Sequence, residues 1–455
     1  MSEIKKIVIL GGGFGGINVL NLIQKKFKKA TNIRISLVSQ DNYFLYTPML
    51  PQVTSGLIHP NDITIPIRKL CKQAEFYHAV ISSVDLEQKL VTITTEFDGK
   101  VHALDYDYLV ISLGGSTNFF GNKNIKKYSF VIKTVEDAIS INSQVINMLE
   151  SAAQTSDADF KKELMTFTVV GGGFAGVETM GEINQLVRDS VRNFYPSIGE
   201  ENVCMNLIAS KEFILPELGS KLGKMAGKYL SKSGVNVITS TKAVDAGEDF
   251  VKLDNGKTIP CMTLIWAAGI DIDPVISELE CEHHKSGKLK VDKYLRVLGH
   301  QDVFALGDCA LVTNPLTGEA YPATAQNSIH QSLAVANNLH CTITGKGSLK
   351  KFSFKSKGMM TTLGRKVAIA VMFGLPITGP IAWLIWRTYY LSRLPMSEKK
   401  FQVATSWLAD LLFERDLTFI GTIKNKSLTK VDIPTKTTTI KDFFRDLQSS
   451  SEGDN

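Results

Sequence analysis

The chain has 455 residues, 44% hydrophobic and 21% charged, which is ordinary globular material and enough for two or three domains. Its six cysteines (Cys71, Cys204, Cys261, Cys281, Cys309 and Cys341) are scattered, with no CxxC pair and no metal-ligand spacing. That pattern argues against a disulfide framework or a metal centre and for isolated thiols in a reducing compartment. The net charge is +6, yet residues 350–400 hold ten Lys/Arg against the single acid Glu398, so that stretch carries +9 and the rest of the chain −3. A basic block on a nearly neutral body calls for a local anionic partner rather than a general nucleic-acid habit. The opening MSEIKK runs straight into apolar IVIL with no small-residue cleavage site, so an intracellular chain without a signal peptide is expected.

Ile7 to Leu10 is a short continuous apolar run, the pattern of a parallel strand buried on both faces. It enters Gly11-x-Gly13-x-x-Gly16 and then NVLNLIQKKF, where Val19, Leu20, Ile23 and Phe27 keep helical spacing. A strand, a tight turn and a helix N-terminus gather unpaired backbone N–H groups and a positive helix end around a pyrophosphate. Glycines are needed because a Cβ would block the turn, the phosphate approach or the helix–strand contact. IRISLVS (33–39) reads as the second strand of this unit. The arrangement recurs as Phe167 to Val170, then Gly171-x-Gly173-x-x-Gly176, then VETMGEINQLV. A lone GxGxxG is weak evidence, but both copies have the strand before and the helix after. Two sites imply two dinucleotides, and the natural pair is a flavin and a nicotinamide. The expected fold is therefore α/β, with two Rossmann-like dinucleotide-binding domains.

TLIWAAG (263–269) is an apolar strand ending in Gly269, where the second domain is expected to hand back to the first. DVFALGDCA (302–310) has the same form and ends at Gly307-Asp308. An Asp there commonly hydrogen-bonds a flavin ribityl or phosphate group; a helix N-cap is the plainer alternative.

Residues 367–386, VAIAVMFGLPITGPIAWLIW, are uncharged throughout and nominally long enough to cross a bilayer. Gly374, Pro376, Gly379 and Pro380 interrupt them, and VAIAVM is short and β-branched, so a strand and then one helix from Pro380 to Pro395 are expected in place of a span. That helix carries Trp383, Trp386, Tyr389 and Tyr390 with Arg387 and Arg393, residues suited to a lipid–water boundary. A second helix, capped by Ser397, is expected over EKKFQVATSWLADLLFERD. Its Phe401, Ala404, Trp407, Leu408, Leu411 and Leu412 fall on one face, with Lys399, Lys400, Asp410 and Glu414 elsewhere. Amphipathic helices beside the basic block predict an interfacial anchor on an anionic membrane surface, each Lys or Arg adding about 1 kcal/mol. A homodimer face is a compatible alternative, and nucleic acid is the poorer partner because the basic residues flank apolar segments. Past residue 424 the tail is polar and Thr/Lys-rich, with one short helix (KDFFRDL) and a disordered end expected.

Taken together, these residues resemble the two-dinucleotide flavoprotein superfamily and, more narrowly, the type II (alternative, non-pumping) NADH:quinone oxidoreductases. The resemblance runs from residue 5 to about residue 421. Its most specific pieces are NYFLYTPMLPQVTSG (42–56), DYLVISLGGSTNFFG (107–121), GGGFAGVETMGE (171–182), LIWAAG (264–269), FALGDCA (304–310), YPATAQNSIHQ (321–331) and GRKVAIA (364–370). It implies an FAD-binding domain over 1–118 and 267–345, an NAD(P)H-binding domain over 119–266, a membrane-anchoring region over 346–423 and a polar tail over 424–455. Gly11, Gly13 and Gly16 would hold the FAD pyrophosphate, with Asp308 on its ribityl or phosphate side; Gly171, Gly173 and Gly176 would hold the nicotinamide dinucleotide. Gly114 and Gly269 are carried over as further cofactor-binding glycines. Glu178 would lie near the flavin and nicotinamide rings, against the plainer reading of a helix-surface acid, and quinone would be reduced on the opposite face of the flavin.

Residues 39–70 contain no cysteine, so the redox pair of the superfamily's disulfide reductases is missing; a sulfide-oxidising relative would also need a pair, and only Cys309 is near. Electrons leaving without a thiol relay fit direct transfer to a quinone. Three departures matter. Ser39 stands where the family has an acid for the adenosine ribose, with Asp41 as a substitute. LIASKE (207–212) has Ala209 where the family usually has the Glu that accepts the 2′-hydroxyl of NADH and repels the 2′-phosphate of NADPH; with Ala209, Ser210 and Lys211 that repulsion is gone, so NADPH is expected to be at least tolerated beside NADH. The family's AQxxxQQ reads here with His330 at the first of the paired glutamines. Gln326 and His330 share a helix face, and His330 either delivers a proton to the reduced quinone or fills a hydrogen-bonding slot. The expectation is an FAD-dependent NAD(P)H:quinone oxidoreductase without a metal, peripheral on the cytoplasmic face of the cell membrane. The alternatives are another donor or acceptor on the same fold (a sulfide:quinone reductase, an NAD(P)H oxidase, an iron–sulfur partner) and an FAD/NAD-binding signalling protein.

Overall fold

A computed structural model describes residues 3–356 and 358–418; the tail helix and disordered end expected above lie outside these residues. Strand β1 (Lys5–Leu10), helix α1 (Phe14–Lys26) and strand β2 (Ile33–Ser39) form where the apolar run, the helical spacing and IRISLVS predict. Ile7, Ile9 and Leu10 are completely buried, and Val19, Leu20 and Ile23 of α1 pack beneath them. After β2 the chain makes the short helix α2 (Leu50–Thr54) and adds strands β3 (Glu75–His78) and β4 (Tyr108–Ile111). A strand from far along the chain, Val303–Ala305, pairs with β4 and completes a parallel sheet ordered 303–305, β4, β1, β2, β3.

The second sheet repeats this plan. Strands β5 (Phe130–Val131), β6 (Thr166–Val170), β7 (Cys204–Ile208), β8 (Val235–Ile238) and β9 (Thr263–Trp266) form a parallel sheet in the order β5, β9, β6, β7, β8, with helix α3 (Phe174–Asn193) leaving the glycine turn after β6. In both sheets the glycine-bearing strand has its next strand in sequence on one side and a later strand on the other. That reversal of winding opens a crevice at the carboxyl ends of the strands. Each unit also carries a three-stranded antiparallel meander, over 80–105 in the first and 243–260 in the second, so the duplication extends well beyond the glycines.

A third part closes the molecule. Helix α4 (Ala325–Thr344) packs along α1. A meander of β10 (Gly358–Thr362), β11 (Ala368–Met372) and β12 (Leu375–Gly379) then leads into α5 (Pro380–Arg393) and α6 (Ser397–Leu412). The strand at VAIAVM and the helix from Pro380 form as read, and no described helix is long and apolar enough to cross a membrane.

Three expectations change here. Ser397 does not cap α6: it is the first helical residue, and the cap position is Met396, which makes no side-chain cap bond. Trp386 and Arg387 do not face a boundary but are buried. Trp386 packs against Tyr390 and Trp407 with ring centroids 4.6 and 6.3 Å apart, and the Arg387 guanidinium lies 3.8 Å over the Trp383 ring. Asp410, read as part of a polar face, points inward with Val403 and Trp407, while Phe401, Leu408, Leu411 and Leu412 are exposed. Long-range partners explain the turn of α6: the Trp407 indole N–H donates to Gln52 Oε1 of α2 at 2.9 Å, and Asp410 meets three arginines.

Candidate functional site

The two glycine turns impose the same steric pattern, residue for residue. A Cβ on Gly11 (φ +106°) would sit 2.2 Å from Ser112 O, and one on Gly171 (φ +135°) would sit 2.6 Å from Ala267 O. A Cβ on Gly16 would come 1.9 Å from Gly11 O, and one on Gly176 would come 2.0 Å from Gly171 O. By contrast, a Cβ on Gly13 or Gly173 would meet nothing within 4 Å. The outer glycines of each motif are thus demanded by protein backbone, and the middle one faces open space in the crevice. Gly13 and Gly173 are also the N-cap residues of α1 and α3 and make no side-chain cap bonds, so the first-turn N–H groups are left for an anion. This chain's residues fit two dinucleotide pyrophosphates.

Around the first cradle, Ser39 is buried, its Oγ 2.5 Å from where a Cβ on Gly12 would lie. Asp41 is open to solvent as a residue; partial shielding of its carboxyl and the charge of Glu136 push its pKa up. Gly114 takes φ +71° at the end of β4 with open space where a side chain would go. Asp308 lies in a 3-10 turn, Gly307–Cys309, directly after the 303–305 strand, so it is not the cap of a following α-helix. That turn is braced from α4: the Gly307 N–H donates to Gln331 Oε1 at 2.7 Å. Sequence reasoning gave Gln331 no role, although it is the second of the paired positions in the motif. Burial pushes the Cys309 thiol up to about 11, and all six cysteines are unpaired, so no thiolate is poised beside the turn.

Around the second cradle, Gly269 takes φ +79°, and a Cβ there would strike the Phe120 ring at 2.8 Å. This locks the TNFFG loop, whose Asn118 carbonyl accepts from the Trp266 indole N–H at 2.9 Å. At the end of β7, Ala209 is buried against Gly172, while Ser210 and Lys211 are exposed. Glu212, next after Lys211, is engaged by Lys224 at 2.7 Å.

Glu178 sits in the first turns of α3, and the helix-surface reading fails: the residue is 8% exposed. The Thr362 backbone N–H donates to its Oε1 at 3.1 Å. Burial pushes the carboxyl up to about 8, the charge of Glu182 adds to this, and the Thr362 N–H and Thr361 hydroxyl pull it partly back. At neutral pH it is therefore a protonated acid, able to donate.

Gln326 and His330 do share a face of α4, and the segment before β10 lies along it. The Ser356 hydroxyl donates to Gln326 Oε1 at 3.4 Å, and the His330 ring stacks on Phe354 with centroids 3.9 Å apart. Tyr321 fixes Phe354 in turn, its hydroxyl donating to the Phe354 carbonyl and accepting from its N–H, each at 3.0 Å. No group of His, Cys, Asp or Glu suited to a metal occurs among the described residues.

A family model described as pyridine nucleotide-disulphide oxidoreductase matches residues 5–332. A "Probable NADH dehydrogenase" of Dictyostelium discoideum is 31% identical to the chain over 91% of each. The "Type II NADH:quinone oxidoreductase Ndh" of Mycobacterium tuberculosis is 28% identical over 90% of this chain and 89% of its own. Among solved structures, NDH2 from Plasmodium falciparum in complex with NADH superposes with a TM-score of 0.84 at 22% identity, covering 91% of this chain and 99% of that one.

Proposed function

The chain belongs to the pyridine nucleotide-disulphide oxidoreductase family, among the type II NADH:quinone oxidoreductases, and from that premise we propose how its residues carry NADH oxidation by quinone. The observation that carries the reading is the pair of matching glycine cradles, each with an uncapped helix end and one glycine open to the crevice. When bound, FAD supplies the two-electron chemistry, taking hydride from NADH and returning electrons to a quinone. Gly11, Gly13 and Gly16 hold the FAD pyrophosphate, with Gly114 and the Asp308 turn beside it. Gly171, Gly173, Gly176 and Gly269 form the NADH side. Ala209, Ser210 and Lys211 put no carboxylate against a 2′-phosphate, so NADPH is tolerated.

Glu178 is buried between α3, β10 and α5 and holds a proton there. Gln326 and His330 present polar atoms to the quinone. His330→Gln separates the two roles open to that ring: turnover is kept if it fills a slot, and the pH dependence of quinone reduction shifts if it delivers a proton. The outer face of the third part supports a membrane-peripheral enzyme, and a place on the cytoplasmic face belongs to the same proposal. Phe373 and Leu375 at the β11–β12 turn, Ile381 and Leu384 on α5, and Leu408 and Leu412 on α6 are all exposed and apolar, beside the basic block. A second copy of this chain is the other partner such a face suits. A sulfide-oxidising role is the weaker reading, because Cys309 is buried with its thiol held protonated.

The test is anaerobic. The purified protein is yellow, NADH bleaches it within a turnover, and a short-chain quinone restores the colour at once. A colourless protein that cannot be loaded with FAD overturns the reading.

A further inference from the structure

The molecule buries a set of charged groups for which the reaction as read has no use. Glu182, Asp410 and Arg387 are each less than a tenth exposed, the Arg415 side chain joins them, and the partly exposed Arg365 closes the cluster on its outer side. Arg415 Nη1 lies 3.4 Å from Glu182 Oε2, and its Nε is 3.1 Å from Asp410 Oδ1. Arg365 Nε and Arg387 Nη2 stand 3.7 and 4.0 Å from Asp410 Oδ2. The Ser55 hydroxyl donates to Glu182 Oε2 at 2.7 Å. These residues come from the end of α2, from α3, from the β10–β11 turn, from α5, from α6 and from the segment after it.

Stability alone is a poor reason for this cluster. Taking ions out of water costs several kcal/mol each, and well-packed apolar residues would usually serve as well or better. The contacts are uneven: Arg415 Nε holds Asp410 Oδ1 at 3.1 Å and Arg365 Nη2 donates to the Asp410 carbonyl, yet several polar atoms are left over. Of seven buried side-chain polar atoms without a hydrogen-bond partner among the described residues, four belong to these arginines and Asp410, and two more are Trp386 Nε1 and Thr179 Oγ1 close by. Ion pairs left partly unsaturated in a mostly buried cluster also act through charge, over a longer range than a hydrogen bond.

What lies within that range is Glu178, one helical turn before Glu182 on α3. The groups that face Glu178 are Glu182 on its own helix, Thr361 and Thr362 on β10, and Trp386 and Tyr390 on α5. Arg415, Asp410, Arg387 and Arg365 stand behind Glu182.

We propose that Glu182 and Arg415, braced by Asp410, are positioning residues that set the proton affinity of Glu178: the Glu182 charge favours the protonated acid, and Arg415 limits how much of that charge Glu178 feels. The inference rests on the reading of Glu178 as the acid beside the nicotinamide cradle. It adds that residues after α6 take part in holding its proton. Burial is the larger cause of the raised Glu178 pKa, and the Glu182 charge works in the same direction.

The test reads the proton directly. In the FAD-loaded full chain, the protonated Glu178 carboxyl is assigned as the infrared C=O band that disappears in Glu178→Gln, and that band is titrated with pH. Glu182→Gln removes a like charge and leaves Arg415 paired with Asp410 alone, so the midpoint falls by about one pH unit. Arg415→Gln leaves Glu182 unpaired, so the midpoint rises. Arg415→Lys keeps the charge and stays near wild type. Opposite shifts are the expected result, because mere loosening of the fold would move both variants the same way. Midpoints that stay put, or move together, overturn the proposal. If Glu178→Gln keeps full rates of flavin bleaching and quinone-driven recovery, the catalytic reading of Glu178 falls, while the infrared titration still decides the coupling. Circular dichroism and FAD content identify any variant that has not folded, and Arg415→Lys then carries the comparison with Glu182→Gln.

Discussion

Gly176→Ala tests the site most sharply. The new Cβ would lie 2.0 Å from Gly171 O, whereas real Cβ atoms essentially never approach closer than 3.0 Å, so the turn and the N-terminus of α3 must part by at least 1.0 Å. The partner atom is backbone, which cannot rotate away as a side chain would. Such overpacking costs about 1–3 kcal/mol of stability. Its effect on function is larger, because a displacement of about 1 Å in a positioning element can cost on the order of 100-fold in rate. We expect kcat/KM for NADH to fall by that order, read as the rate of anaerobic flavin bleaching in a stopped-flow spectrometer. The variant should stay yellow, because the FAD cradle is a separate turn. Gly16→Ala, with its Cβ 1.9 Å from Gly11 O, should do the reverse and purify with little FAD. Gly173→Ala, where a Cβ meets no protein atom within 4 Å, should keep the melting temperature while weakening NADH. The reasoning is refuted if Gly176→Ala keeps KM and kcat, or if it loses FAD while Gly16→Ala retains it.

Restoring an acid with Ala209→Glu should lower kcat/KM for NADPH by roughly tenfold or more while sparing NADH; equal losses with both donors would show that the strand end does not read the 2′ position. Replacing exposed Leu408 and Leu412 together by Asp should change stability by no more than about 0.5 kcal/mol per site. The same pair should sharply reduce flotation with anionic vesicles, and undiminished flotation would remove this face from membrane binding. Glu178 also predicts a pH effect on folding. Its carboxyl is raised from 4.5 to about 8 in the folded protein, so its contribution to stability is complete at low pH and is lost as pH rises through about 8. The fall in melting temperature between pH 6 and pH 9 should therefore be shallower in Glu178→Gln; parallel curves would argue against a buried, protonated Glu178.

What the sequence disclosed was what short-range sterics decide. The glycine turns, the strand at 33–39 and the helix starting at Pro380 depend on a missing Cβ, an unbroken apolar run or a fixed φ, each visible within a few neighbours. What stayed hidden depends on partners far along the chain. Asp410 reads as a surface acid until Arg365, Arg387 and Arg415 are brought around it. Trp386 reads as a boundary aromatic until Trp407 folds over it. Glu178 stands out in its motif, but its raised pKa follows from burial under distant parts of the chain, against the pull of the β10 hydrogen bonds, which no local pattern encodes. Gln331 shows the intermediate case: the motif pointed to the helix, and only the bond to Gly307 gave the residue a task.

Gly181 has a mechanical consequence. With no side chain there, the backbone of Leu363 and Gly364 rests directly on α3, where an added Cβ would stand only 2.8 Å from the Leu363 carbonyl carbon. The same C-terminal layer grips the other half through Trp407 to Gln52 and through the Tyr46 hydroxyl to the Tyr390 carbonyl at 3.2 Å. It therefore spans the two halves like a brace across a hinge. Any swing of the halves apart would first have to break these contacts, so the relative placement of the two cradles is held by a layer that belongs to neither.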